Sequence, residues 1–339
     1  MIFLAKRIGN RTIILENKPT IVGYGSVVGK CEREGPLGDE FDAYDEDARF
    51  GEESYEKAES RLQKIAIETA LRKSNYTEKD IDCVFAGDLL NQCIGSSFGI
   101  RNMKIPFVGL YGACSTMALS ISMASILVDS GALNRAVAVT SSHFCSAERQ
   151  YRFPLEYGSF RTPTAQRTVT GAGASIIEIG RDKPYINAVT IGRIEDLGVK
   201  DANNMGAAMA PSAYSTLKAY FEDTNSAPED YDIIFTGDLG KVGSDLLYEL
   251  CESDGMDIRC RHSDCGLIIY DRDRQDMHAG GSGCGCSASI FNSYIMHRFE
   301  SGEFNNILFM STGALLSPTS TMQGESIPGI SHLINIKNR

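Results

Sequence analysis

The spacing of apolar positions sorts the chain into helices and strands before any single residue stands out. Across residues 53–73, Ala58, Leu62, Ile65, Ala66 and Leu71 fall near one face of a helical repeat, with charged residues between them, which predicts an amphipathic helix. A polar turn from Asn75 to Asp80 leads into a short apolar strand at Cys83, Val84 and Phe85. Residues 108–114 form a second short apolar run. Residues 115–130 are small and apolar over the length of a helix, and Arg135 to Thr140 reads as a buried strand. Gly171 to Ile179 reads as the last strand of this half, its small residues letting backbones approach closely. Strands alternating with helices predict parallel sheets covered by helices. Residues 146–167, polar and rich in Arg and Tyr, read as an excursion over a pocket or a subunit interface, and the acidic, Gly-rich run 34–47 as a solvated loop.

The pattern then recurs. Asp82, Phe85, Gly87, Asp88 and Leu89 reappear as Asp232, Phe235, Gly237, Asp238 and Leu239. In the first half the turn at Gly112 and Cys114 leads through a helix to Ser130-Gly131 and the strand from Arg135. In the second, the turn at Gly283 and Gly285 leads through a helix to Ser301-Gly302 and a strand from Asn306. Cys114 falls opposite Gly285. Two matches in one order predict a duplicated α/β unit, with an N-terminal half over 1–180 and a C-terminal half over 181–339, and helices shared between two sheets in a layered α-β-α-β-α sandwich.

Composition narrows the function. A formal net charge of -11 and a pI near 5.0 exclude a nucleic-acid binder, which needs a basic face, and give no help toward anionic lipid. No apolar run reaches the roughly 18 residues of a membrane-spanning helix. The first residues, apolar and then basic at Lys6 and Arg7, reverse the order of a secretory signal, so the ten cysteines are expected as free thiols. Neither Cys260 and Cys265 with His262 between them, nor Cys284-Gly285-Cys286, has the paired spacing of structural zinc, and no metal site is expected.

Candidate chemistry centres on Cys114, a thiol at a strand-to-helix turn, where unpaired N–H groups and the helix dipole favour a thiolate or a bound anion. The residue serves either a catalytic site or a pocket that only binds. His262, His297 and His332 read as surface or structurally satisfied residues, and Asp88 and Asp238, each following a glycine at a strand end, as turn caps. Cys284 and Cys286 read as small residues for close helix packing.

With the duplication, Cys114 before its helix, Gly171-Ala-Gly-Ala174 and the late turn His278-Ala-Gly-Gly-Ser-Gly283, essentially the whole chain resembles the thiolase superfamily. Phe85 to Gln92, Gly109 to Thr116, and Met310 to Pro318 through Gln323 to Pro328 further resemble the stage V sporulation protein AD family of endospore-forming bacteria. The C-terminal segment is not shared with ordinary thiolases or ketoacyl synthases. The resemblance implies a binding component that moves dipicolinic acid (pyridine-2,6-dicarboxylate) into the developing spore. It would be a soluble protein held peripherally at the spore inner membrane by small membrane proteins of the stage V sporulation A system. It implies no cofactor, with calcium entering only as a chelate of the ligand. It also implies a homodimer paired through the strand Ala136 to Thr140, bringing residues 141–152 close to the partner's pocket.

A condensing enzyme of this superfamily needs a nucleophilic cysteine, a base and an oxyanion hole. Cys114 matches the nucleophile. The first histidine of the superfamily would fall at Phe235 to Leu239, where Thr236 stands and cannot act as a base near neutral pH. The second position falls near His278 to Gly281, and no cysteine occupies Ser311 to Gly313, where degradative thiolases carry one. The set reads as a retired enzyme site. Acyl transfer by Cys114 with His278 and a purely structural adaptor remain the alternatives. For a planar dianion, the helix start at Cys114, Ser115 and Thr116 is expected to supply N–H groups, with His278 or His143 as further donors and Gly281 and Thr236 nearby. One of Arg149, Arg152, Arg161 and Arg167 would supply a bidentate contact, and Tyr111 and Phe144 would form slot walls or core.

Overall fold

Two five-stranded runs of sheet with the same strand order carry the chain. In this computed structural model, which describes residues 5–151, 161–180 and 184–338, the first half runs Pro19–Gly29, Gly171–Ile179, Arg135–Ser142, Cys83–Gly87 and Phe107–Gly109. The second runs Tyr185–Thr190, Gly329–Lys337, Asn306–Ala314, Ile233–Thr236 and His262–Asp264. In each half the first two pairings are antiparallel and the last two parallel. The runs touch through one pair, Tyr185 with Thr20, which makes a continuous path. The expected parallel sheets are therefore mixed. The closing strand of each half follows a long connection that need not cross over the sheet, and it returns antiparallel. The hairpin Lys6–Ile8 and Thr12–Ile14 pairs with Tyr185–Thr190, so this early segment lies on the second half.

The helices follow from local chemistry. Tyr55–Ser74 starts where the Ser54 side chain accepts from Lys57 N–H, and ends at Asn75, which adopts the left-handed conformation that closes helices. It covers the first sheet from outside, as Met205–Thr224 covers the second. Thr116–Asp129 and Cys284–Ile290 pack against strands of the sheet between the outer helices. Thr116–Asp129 has almost no polar face because it is buried on nearly all sides. These layers are the expected α-β-α-β-α sandwich.

The strand expected at the dimer edge, Arg135–Ser142, is interior. Cys83–Gly87 holds one side and Gly171–Ile179 the other. The free edge of the first half is Phe107–Gly109, whose Phe107 and Val108 are 39% and 40% exposed.

The halves meet reciprocally at the turns that the repeat aligns. A Cβ at Gly313 would stand 2.4 Å from the Gly112 carbonyl oxygen and 3.3 Å from Cys114 N. A Cβ at Gly285 would stand 2.4 Å from the Gly171 carbonyl and 2.6 Å from Ser142 Oγ. Each turn thus lies on the strand end of the other half. We expect Gly313→Ala to lower unfolding free energy by about 3 kcal/mol in denaturant titration, because the new methyl meets backbone that has no way to yield.

Candidate functional site

Cys114 sits in a turn that satisfies itself. Ala113, at φ 48, turns the chain sharply just before it. Ser115 N–H and Ser115 Oγ both donate to the Gly112 carbonyl, at 3.0 and 2.6 Å. Thr116 N–H and Thr116 Oγ1 donate to the Ala113 carbonyl, at 3.3 and 2.6 Å. The N–H groups expected to hold an anion at Ser115 and Thr116 are spent inside the turn, and the Ser115 hydroxyl faces backbone.

The thiol looks across to the second half. Cys114 Sγ lies 3.9 Å from Ser282 Oγ, whose hydroxyl donates to the Asp238 carboxylate, so the thiol sits beside that charge. Asp238 accepts from Ser282 Oγ at 3.1 Å, Gly283 N–H at 2.8 Å and Thr312 Oγ1 at 2.9 Å. Burial, and then the charge of Asp238, push the thiol well above its usual range. Burial pushes Asp238 up to about 7. The helix terminus does not produce a thiolate here; desolvation and a neighbouring carboxylate outweigh it. Asp238 does cap a turn, the distant one at Ser282 and Gly283, and it does so beside the thiol, a role its place in the repeat did not reveal.

Around the thiol is a narrow cavity of about 40 Å³ with Leu89, Ala113, Glu148, Thr168 and Ser282 in its wall. Tyr111, Tyr151 and Leu316 line it and also an outer vestibule of about 380 Å³ that reaches Asn91 and Gln92. Tyr111 stands at the mouth, 46% exposed, rather than in the core.

Several expected residues lie elsewhere. The His278 ring pairs with Asp276 at 3.1 Å and does not line the cavity; Ser282, four residues on, does. Gly281 supports that turn by packing, since a Cβ there would meet Ile269 at 2.8 Å. His143 is fully buried, its Nε2 bonded to the Ala48 carbonyl and its Nδ1 accepting from Cys145 N–H, with burial lowering its pKa. Phe144 carries the Arg167 guanidinium over its ring. Arg149 pairs with Glu56 and Arg161 with Asp276, and Arg152 lies outside the described residues.

Thr236 belongs to a separate buried chain. Tyr248 donates to His262 Nδ1 at 2.8 Å, His262 Nε2 to Thr236 Oγ1 at 2.9 Å, and Thr236 Oγ1 to Asp264 Oδ2 at 2.6 Å. Asp264 takes three further backbone N–H groups, from Leu239, Gly240 and Leu267. Burial lowers His262 to about 4, so the ring is neutral and held in place. His262, His297, bonded to Glu40, and His332, bonded to Gly192 N–H, are satisfied structural residues. Sequence reasoning also missed Glu59, a buried carboxylate on Tyr55–Ser74 that accepts from Ser141 and Ser146. Its helical register placed it on a polar face, and only the strand end beyond explains its burial.

The family described as Stage V sporulation protein AD (SpoVAD) matches residues 9–337. The chain belongs to this family. It is 44% identical over 327 residues, 96% of each chain, to Stage V sporulation protein AD of Bacillus subtilis (strain 168). Among solved structures it resembles 3-oxoacyl-[acyl-carrier-protein] synthase III from Aquifex aeolicus VF5, with a TM-score of 0.59 at 13% identity, covering 94% of this chain and 99% of that one. It also resembles cerulenin-bound OleA of Xanthomonas campestri, with a TM-score of 0.58 at 14% identity, covering 94% and 96%. At this identity the likeness shows the thiolase-like fold. A family member's sporulation role thus rests on a fold that condensing enzymes also use.

What the site offers is a protonated thiol, a carboxylate poised near neutrality and several hydroxyls, with no imidazole touching Cys114 among the described residues. Asp238 is raised in the folded state, so its stabilising effect is complete below its unfolded pKa near 3.8 and is lost as pH rises toward about 7. We expect the stability of the wild type relative to Asp238→Asn to fall by about 3 kcal/mol between pH 5 and pH 8 in denaturant titrations, roughly two pH units at 1.36 kcal/mol each. A pH-independent difference would show that Asp238 is ionised throughout.

Proposed function

We propose that this chain is a non-catalytic binding protein that takes dipicolinic acid, alone or as its calcium chelate, for uptake into the developing spore. The observation that carries the reading is Cys114 itself. Its thiol is held protonated by burial and by the neighbouring Asp238 charge, and no imidazole touches it among the described residues, so the thiolate that thiolase-type chemistry starts from is disfavoured. Membership of the sporulation family supports the biological setting. The ligand's seat is the cleft made by the Cys114 cavity with its vestibule. With Arg149, Arg161 and Arg167 engaged elsewhere, its carboxylates meet hydroxyls and amides rather than guanidinium groups.

Titration calorimetry with dipicolinate is expected to show saturable heat, tighter at pH 6 than at pH 8, because protonating Asp238 removes a repelling charge. No saturation up to millimolar ligand refutes the reading. Acyl-thioester turnover that disappears in Cys114→Ala supports the rival enzyme.

We further propose that two copies pair antiparallel through Phe107–Gly109, an unpaired edge with apolar, exposed Phe107 and Val108. Helices long and apolar enough to cross a membrane are absent among the described residues, so location at the spore inner membrane would rest on membrane partners of the same system. Light scattering is expected to give twice the chain mass of 37.0 kDa for the wild type and the single mass for Val108→Lys. A wild-type monomer rules the pairing out.

A further inference from the structure

The chain carries a net charge of -11, yet one groove on the first half gathers cations. It lies between the helices Tyr55–Ser74 and Ile94–Ile100, holds about 580 Å³, and has Lys57, Arg61, Lys64 and Arg101 in its wall. Lys57 is paired with Glu53 and Lys64 with Glu68. Arg61 and Arg101 are exposed and make no ion pair among the described residues. Arg101 also brings its charge close enough to oppose that of Lys57. Gathering like charges costs free energy, and an anion held among them recovers it.

Apolar surface lies beside these cations. Ile94 and Phe98, in the same wall, are 36% and 49% exposed, and the Arg101 guanidinium stands over the Phe98 ring, 4.6 Å from its centroid. The groove is preformed. Ser60 Oγ donates to the Gly95 carbonyl at 2.9 Å, and a Cβ at Gly99 would stand 2.7 Å from the Ser60 carbonyl oxygen, so the two helices touch. Glu52 and Glu56, at the start of the longer helix, also belong to the wall, and Glu56 is bound to Arg149. A flat, uniformly anionic lipid surface would meet these carboxylates along with the cations. A peptide segment can place its acids at one end only.

We propose that this groove docks an acidic segment of a partner protein, with carboxylates on Arg61 and Arg101 and an apolar side chain against Ile94 and Phe98. The groove shares no wall residue with the Cys114 cavity, so the proposal does not depend on the ligand reading.

The test is fluorescence anisotropy of a labelled peptide alternating Glu and Leu, titrated with the full-length chain in the absence of dipicolinate. Saturable binding is expected, weakening as salt rises, with none for the peptide alternating Lys and Leu. Arg61→Glu and Arg101→Glu are each expected to weaken binding about ten-fold, the loss of one charge-assisted contact. Phe98→Ala is expected to weaken it about five-fold through lost apolar contact. Lys79→Glu, the same charge change at an exposed site outside the groove, is expected to leave binding unchanged. No binding, equal binding of both peptides, or equal losses in Lys79→Glu and Arg101→Glu overturn the proposal. Two further outcomes overturn it by giving the groove another occupant. One is sedimentation with phosphatidylglycerol vesicles that needs Arg61 and Arg101. The other is light scattering in which Arg101→Glu turns a dimer into a monomer.

Discussion

The site depends on how closely the two halves approach each other. Gly313 leaves room for the Cys114 turn, and Gly285 leaves room for Ser142 and Gly171, so each half's turn lies on the other's strand end. Asp238 fastens this contact. It follows the strand Ile233–Thr236 and collects donors from Ser282, Gly283 and Thr312, and Ser282 in turn faces the Cys114 thiol. A buried carboxylate survives only when its oxygens are satisfied, and here the satisfying groups come from two separated segments of the second half, the turn at Ser282 and Gly283 and the strand end at Thr312. The cavity takes its shape from that junction.

The same contact decides the chemistry. A thiol at a helix start is an invitation to form a thiolate, but only where water or a cation can reach it. Here the turn consumes its own first N–H groups, the thiol is buried, and the nearest charge is negative. Desolvation and a carboxylate act in one direction, against ionisation, and the dipole of one helix does not offset them. Thr236 adds nothing to this balance, because its hydroxyl is committed to Asp264.

Much of the architecture was legible in the residues because the duplication repeats local signals. Matching Gly-Asp pairs after matching strands, and matching turns before matching helices, made the order of elements legible. Strand neighbours were not legible. Arg135–Ser142 has the apolar composition of a strand, but whether its edge is free depends on Gly171–Ile179 returning beside it, which local pattern does not encode. The site residues were read less well for a related reason. His278 stands in a glycine-rich turn, and at φ 46 it pairs its ring with Asp276 while Ser282 reaches the thiol. Asp238 was visible as a repeated residue, but its partners lie from 44 to 74 residues away along the chain.

A pocket in this fold does not depend on a catalytic base. The space beside a nucleophile in this fold is held open by the packing of the two halves, and glycines at their contact keep that packing whether or not the thiol reacts. Ser282 and Asp238 place a hydrogen-bond donor and an acceptor around this point. Binding needs complementary groups in the ground state, whereas catalysis needs them to gain strength in the transition state. Hydroxyls and carboxylates around a protonated thiol meet the first requirement, which is what the proposed binding role asks of them.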